Sequence, residues 1–494
     1  MSFEITKAKI ISSLLWKLME RSGTQGIQFI VMIVLARQLL PEDFGLIVLV
    51  AIFISLANVL VQSGFNTALI QKKNADEIDF SSVFYLNVFV TSILYIGLFF
   101  SAPVLASFFE QEQLILVLRT LSITLFLGSI NSIQHVVIAR NLQFKKLFFS
   151  SLGAVIVAGV VAVVMAYANF GVWALVGYQL INQFLIILIL WFTVKWRPLL
   201  LFSLERIKEL FSFGWKILIA SLIDTFNTNL QSLMIGKMFS PALLGFYNRG
   251  EQFPSLVVSN VNGSIQSVLF PTLSSQQENK KRMKEMVKRS IGISSFMIFP
   301  MMVGLAIIAE PLVKLLLTEK WLPVVPFIQI FCASYALWPI HTSNLQAINA
   351  LGRSDIFVKL EIIKSTISLV VLALCLPFGV HAVALGVLIS GVISTFINAY
   401  PNAKLLDYHM KEQCMDILPS LLISIVMGGV VNSVHWLDMT DMLTISIQLF
   451  LGIIVYIGLA IVFKIESFTY LLFTIKDLLR SKKGKDFTLK ETLE

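Results

Sequence analysis

Fourteen apolar segments follow one another along this 494-residue chain. They fall at residues 11–38, 44–69, 80–108, 114–139, 147–168, 172–194, 209–238, 242–272, 289–317, 324–350, 356–377, 380–403, 416–435 and 443–463. Most exceed the roughly 20 residues that a helix needs to cross a bilayer. In hydrocarbon every backbone N–H and C=O must be satisfied within the protein, so a segment of this kind has to be an α-helix. The expected fold class is therefore all-α integral membrane, with about 14 transmembrane helices. Composition agrees: 57% of residues are hydrophobic and only 14% charged, with a mean hydropathy of +0.83. A soluble domain carries about a quarter charged residues. Two segments fit least well: 242–272 is polar, and 289–317 is interrupted near Pro300 and Pro311.

The chain is written twice. Trp16-Lys17 returns as Trp215-Lys216, Leu35 to Pro41 as Ile235 to Pro241, and Gly45 as Gly245. Phe170-Gly171-Val172 returns as Phe378-Gly379-Val380. Ser55, Gln62 and Asn66 correspond to Ser255, Asn262 and Gln266 at one constant offset in the sequence. Motifs in order at nearly one spacing indicate duplication. An even number of spans separates the copies, so they enter the membrane in the same direction, a parallel repeat. The expected domains are an N-terminal six-helix lobe (1–200), a C-terminal six-helix lobe (201–410), two extra helices (411–465), and a cytoplasmic amphipathic helix with a tail (466–494).

Charge gives the topology. With both termini in the cytoplasm, 28 of the 38 Lys and Arg fall on the cytoplasmic side, including the run Lys280 to Arg289. Five fall opposite: Arg37, Arg119, Lys237, Lys314 and Lys320. This is the positive-inside pattern, and it accounts for a net charge of +9 without nucleic acid as a partner. Residues 202–213 and 467–479 read as interfacial amphipathic helices. In the second, Leu471, Leu472, Ile475, Leu478 and Leu479 share a face beside Lys476 and Arg480. The N-terminus lacks an apolar core, so no cleavable signal peptide is expected. Cys332, Cys375 and Cys414 have no metal-site spacing and read as small core residues.

Five cations fall inside spans: Lys17, Arg21, Lys216, Arg249 and Lys364. A cation at the centre of a bilayer costs from about 2.5 to above 10 kcal/mol, so each needs water, an acid or an anionic ligand. Lys17 and Lys216 lie near the cytoplasmic ends, where snorkelling is open to them. Arg21 has Glu20 beside it, Arg249 has Glu251, and Lys364 has Glu361. Lys17, Arg21, Thr24 and Gln28 follow helical spacing and line one face. Spans 1, 2, 7 and 8 all carry polar seams, with Gln28, Gln62, Asn66, Asn227 and Asn262 as candidate lining residues. The simplest arrangement places the four helices around a central water-filled cavity between the lobes. Interhelical hydrogen bonding is the alternative for the amides. Asp224, near Asn227 and Gln231, is the candidate for coupling to H+ or Na+; no other cofactor, no metal and no catalytic constellation is expected.

The run Leu35-Ala36-Arg37-Gln38-Leu39-Leu40-Pro41, closed by Phe44-Gly45, and then Gly64-Phe65-Asn66-Thr67-Ala68-Leu69-Ile70-Gln71-Lys72-Lys73, resembles the polysaccharide-transporter branch of the multidrug/oligosaccharidyl-lipid/polysaccharide (MOP) exporter superfamily. Within that branch it is most similar to Wzx-type lipopolysaccharide and teichuronic-acid exporters. The resemblance covers residues 5 to 465. It implies a V of two six-helix lobes plus two further helices, in a bacterial cytoplasmic membrane. It also implies an alternating-access flippase for undecaprenyl-pyrophosphate-linked oligosaccharide, not an enzyme. The partners would be that lipid-linked substrate, membrane lipids and polysaccharide polymerase or assembly proteins. By span, the family's cationic cavity maps onto Arg21, Lys216, Arg249 and Lys364. A drug or cation antiporter of the same superfamily would favour acids over cations in its cavity. A membrane polymerase or glycosyltransferase would need a catalytic carboxylate set or a large external loop.

Overall fold

A computed structural model describes residues 7–72, 74–437, 439–473 and 476. Among them there is no strand. The helices in the first half are α1 (Lys7–Gln38), α2 (Pro41–Gln71), α3 (Glu77–Phe109), α4 (Gln113–Leu121), α5 (Ile123–Asn141), α6 (Phe144–Tyr167), α7 (Val172–Thr193) and α8 (Leu204–Met238). The rest are α9 (Pro241–Ser274), α10 (Lys280–Leu317), α11 (Val325–Tyr335), α12 (Trp338–Ala350), α13 (Ser354–Cys375), α14 (Val380–Leu405), α15 (Met410–Asn432) and α16 (Asp441–Val462). α4 and α5 form one span bent at Ser122, and α11 and α12 form another.

Eleven described spans are long and apolar enough to cross a membrane. The count of fourteen rests on α1, α8 and α9, which have the length but carry the polar seams. Whole helix faces are exposed and apolar: Phe89, Ile93, Ile96 and Phe100 on α3, and Phe450, Ile453, Ile457 and Ile461 on α16. Faces of this size are what lipid covers. The chain is a multi-pass membrane protein.

The repeated motifs are structural devices. Pro41 and Pro241 each open a helix at the first turn, where a missing N–H costs nothing. Gly171 and Gly379 stand at φ +55° and +99° at the starts of α7 and α14, a conformation that favours glycine. Gly45 and Gly245 make a reciprocal crossing. A methyl on Gly45 would overlap the Pro241 carbonyl, and one on Gly245 would overlap that of Pro41.

The chain forms two compact units, Met1–Asn248 and Arg249–Glu494. In the first, α1 packs on α6, α6 on α7, and α8 along α2. The α2–α8 approach is close at Gly64 and Gly214, where an added Cβ would stand 2.8 Å and 2.7 Å from the facing glycine's carbonyl oxygen. An apolar cluster of Leu69, Val83, Ile133, Leu190, Trp196 and Leu210 closes one end. Beside it Asp79, fully buried, accepts from Lys72 Nζ at 3.0 Å, and Lys72 also reaches Glu209 of α8 at 2.8 Å. In the second unit α10 packs against α11, α12, α15 and α16, and α13 packs on α14. There Asn344, Asn402 and Gln413 form a buried amide network with contacts of 2.7–3.2 Å.

Two expectations are corrected. The interfacial stretch 202–213 and the seventh span are one continuous helix, α8. Ser203 caps it, accepting from Arg206 N–H at 3.4 Å, and no proline follows before Phe239. α10 runs unbroken through Pro300 and Pro311, because four packed neighbours hold it where the proline ring removes a hydrogen bond. The amphipathic helix after α16 is described over residues 466–473 and at Lys476, with Leu471 and Leu472 on it; Ile475, Leu478, Leu479 and Arg480 lie outside the described residues.

Candidate functional site

On α1 the helix buries one side against α6 and leaves Lys17, Arg21 and Gln28 exposed. Glu20 pairs with Lys17, Oε2 to Nζ at 3.0 Å, and not with Arg21. Among the described residues the Arg21 guanidinium has neither an ion pair nor a hydrogen bond. Thr24 Oγ1 donates to the Glu20 carbonyl at 2.6 Å, so this part of the stripe is tied to its own backbone. On α2, Gln62 donates to Asn58 Oδ1 at 3.2 Å, within the helix and not across to another. Asn66 Oδ1 is buried without a partner. Along the adjoining α8, Lys216 and Asp224 are exposed and Asn227 is half-buried. Lys216 and Asp224 make no ion pair among the described residues.

In the second unit Arg249 is half-buried and donates to Gln252 Oε1. Its neighbour Glu251 instead accepts from the Tyr335 hydroxyl at 2.9 Å, so Arg249 and Glu251 are not a pair. Asn262 is 5% exposed, with Oδ1 unpartnered. Lys364 does meet Glu361, at 2.6 Å. Both line a polar cavity of about 570 Å³ with Trp338, His341 and Asn398. His341 Nδ1 takes the Asn398 amide at 3.0 Å, and Asn398 Oδ1 has no partner.

The five cations thus fall into three kinds, Arg249 being the one held by an amide, Gln252. Lys17 and Lys364 have carboxylates within one helical turn and are neutralised locally. Arg21 and Lys216 stand on exposed faces of membrane-length helices, and neither charge has an ion pair among the described residues. An arginine fork in that position can take two oxygens of a phosphate at once. Sequence reasoning missed the serine- and amide-lined cavity around Lys364. The helically spaced Ser365 and Ser368, and Ser390 and Ser394, were its signal.

The described residues form a helical membrane protein with repeated motifs and polar seams on its long helices, the features of a transporter. The chain belongs to the polysaccharide biosynthesis protein family, whose profile matches residues 34–326. It is 24% identical to the teichuronic acid biosynthesis protein TuaB of Bacillus subtilis over 412 residues, 82% of this chain and 85% of that one. It is 23% identical to the lipopolysaccharide biosynthesis protein WzxC of Escherichia coli, over 86% and 89%. Among solved structures it superposes on the lipid II flippase MurJ in an inward closed conformation, with TM-score 0.73, 16% identity, and 91% and 98% of the two chains covered. An inward-facing multidrug MATE transporter of the MOP superfamily gives 0.59, with 14% identity and 78% and 98% covered. These two likenesses establish the fold as that of the MOP superfamily. The family read from the Leu35 to Gly45 run is borne out.

Proposed function

We propose that the protein is a flippase that carries undecaprenyl-pyrophosphate-linked oligosaccharide across the bacterial cytoplasmic membrane by alternating access. The observation that carries this reading is Arg21, a guanidinium with no carboxylate partner among the described residues, on the exposed polar face of the membrane-length helix α1. The cost of holding it there is offset when an anionic headgroup arrives. The names of the relatives support the substrate class: teichuronic acid and lipopolysaccharide biosynthesis, and, at 24% identity over 255 residues, a probable lipid II flippase of Bdellovibrio bacteriovorus. The pyrophosphate meets Arg21 and Lys216, the glycan meets the amide seams, and the polyprenyl tail stays in lipid. Arg249 and Lys364 serve the passage as paired or hydrogen-bonded groups. No covalent step is needed. Asp224, exposed beside Asn227, is the group through which H+ or Na+ would couple.

The test is complementation of a deletion strain, read as surface polysaccharide. Arg21→Ala abolishes export while the protein still inserts at wild-type levels, and Arg21→Lys restores part of it. Wild-type export by Arg21→Ala would remove the cationic-site reading.

A further inference from the structure

Two cavities of the second unit share a wall, and the translocation reading uses neither. The first, about 510 Å³, is lined by Arg289, Lys464, Lys288 and Asp416, with Phe463 and Phe473 as apolar surface. The second, about 590 Å³, is a mostly apolar groove between α9 and α10, with Ile265, Val268, Leu269, Met286 and Met297. Arg289, Ile293 and Tyr470 line both.

The charges of the first cavity are not all spent. Lys288 pairs with Asp416 at 3.0 Å, and Asp416 also accepts from the Tyr408 hydroxyl at 2.7 Å. Arg289 and Lys464 have no carboxylate or side-chain hydrogen bond among the described residues. Arg289 stands over the Tyr470 ring, 5.1 Å from its centroid. Glu466 opposes them, which leaves the lining net positive.

The pocket is built, not incidental. Lys464 adopts φ +48°, which turns the chain out of α16 into the helix at 466–473. That helix is held on α10 by Phe468 against Phe296, ring centroids 5.8 Å apart. Ser467 lies over Gly292, where an added Cβ would be 2.9 Å from its Oγ. A basic, half-open pocket beside an apolar groove, at the end of the last span, has the two chemistries of an amphiphile with an anionic head.

We propose that these joined cavities bind an anionic phospholipid of the surrounding membrane. Its phosphate sits with Arg289 and Lys464, and an acyl chain lies in the α9–α10 groove. The site stands independently of what the protein translocates.

The experiment uses the purified full chain in neutral detergent and follows its unfolding midpoint. Phosphatidylglycerol, phosphatidylcholine, inorganic phosphate and undecaprenyl phosphate are titrated separately. Phosphatidylglycerol raises the midpoint, while phosphatidylcholine and inorganic phosphate do not. Arg289→Gln and Lys464→Gln each raise the half-effective phosphatidylglycerol concentration on the order of fivefold. Lys208→Gln, an exposed lysine of the other unit, leaves it unchanged. Equal effects of phosphatidylcholine or inorganic phosphate overturn the proposal, and so does an equal loss in Lys208→Gln. Stabilisation by undecaprenyl phosphate without phosphatidylglycerol also overturns it, because the pocket would then belong to the carrier lipid.

Discussion

Asp79 shows what a single carboxylate does where the chain leaves the membrane. It is buried, yet it holds Lys72 at 3.0 Å and accepts the Asp76 N–H at 3.1 Å. Asp76 in turn accepts the Asp79 N–H at 2.9 Å, so the two close the N-terminus of α3 reciprocally. Asp79→Ala strands part of the Lys72 charge and opens the cap. A loss of about 2–3 kcal/mol is expected, read as a lower unfolding midpoint in detergent. The Asp79 N–H also holds the Asp76 carboxyl below its ordinary value of 3.8. A depressed acid stabilises the fold fully above that ordinary value, and the contribution drains as pH falls through the folded value. Asp76→Asn should therefore flatten the acid limb of the midpoint-against-pH curve below about pH 4 while keeping the cap itself.

At the scale of elements, the α2–α9 crossing carries the duplication. Gly45→Ala drives a methyl into the Pro241 carbonyl, and a loss of about 1–3 kcal/mol is expected. Gly26→Ala on α1, where nothing lies within 4 Å, should be neutral or stabilising, since alanine is the better helix former. Equal midpoints for the two variants would mean that the crossing is not a tight contact. The glycine and proline echoes were legible because backbone geometry that only these residues supply leaves a mark in one chain. Helical spacing also showed the α1 stripe and the Lys364–Glu361 pair, which lie within a turn. Partners chosen by tertiary packing left no such mark: Glu251 turns to Tyr335, 84 positions away, and not to its neighbour Arg249. The continuity of α10 was hidden for the same reason, since only packed neighbours make Pro300 and Pro311 tolerable. The Arg289–Lys464 pocket draws on segments near 290, 416 and 465, which no local pattern joins.

Over the whole molecule, doubling, the polar seams on α1, α2, α8 and α9, and the family all point to passage and not to chemistry. On the proposed function, this chain moves a glycan carried on a lipid pyrophosphate from one leaflet to the other. The most direct measurement is the exposure of the host's lipid-linked oligosaccharide to a membrane-impermeant glycosidase in spheroplasts. With the protein present the glycan is cut; in the deletion strain it accumulates and stays protected until the membrane is permeabilised. Equal cutting in both strains would contradict the account.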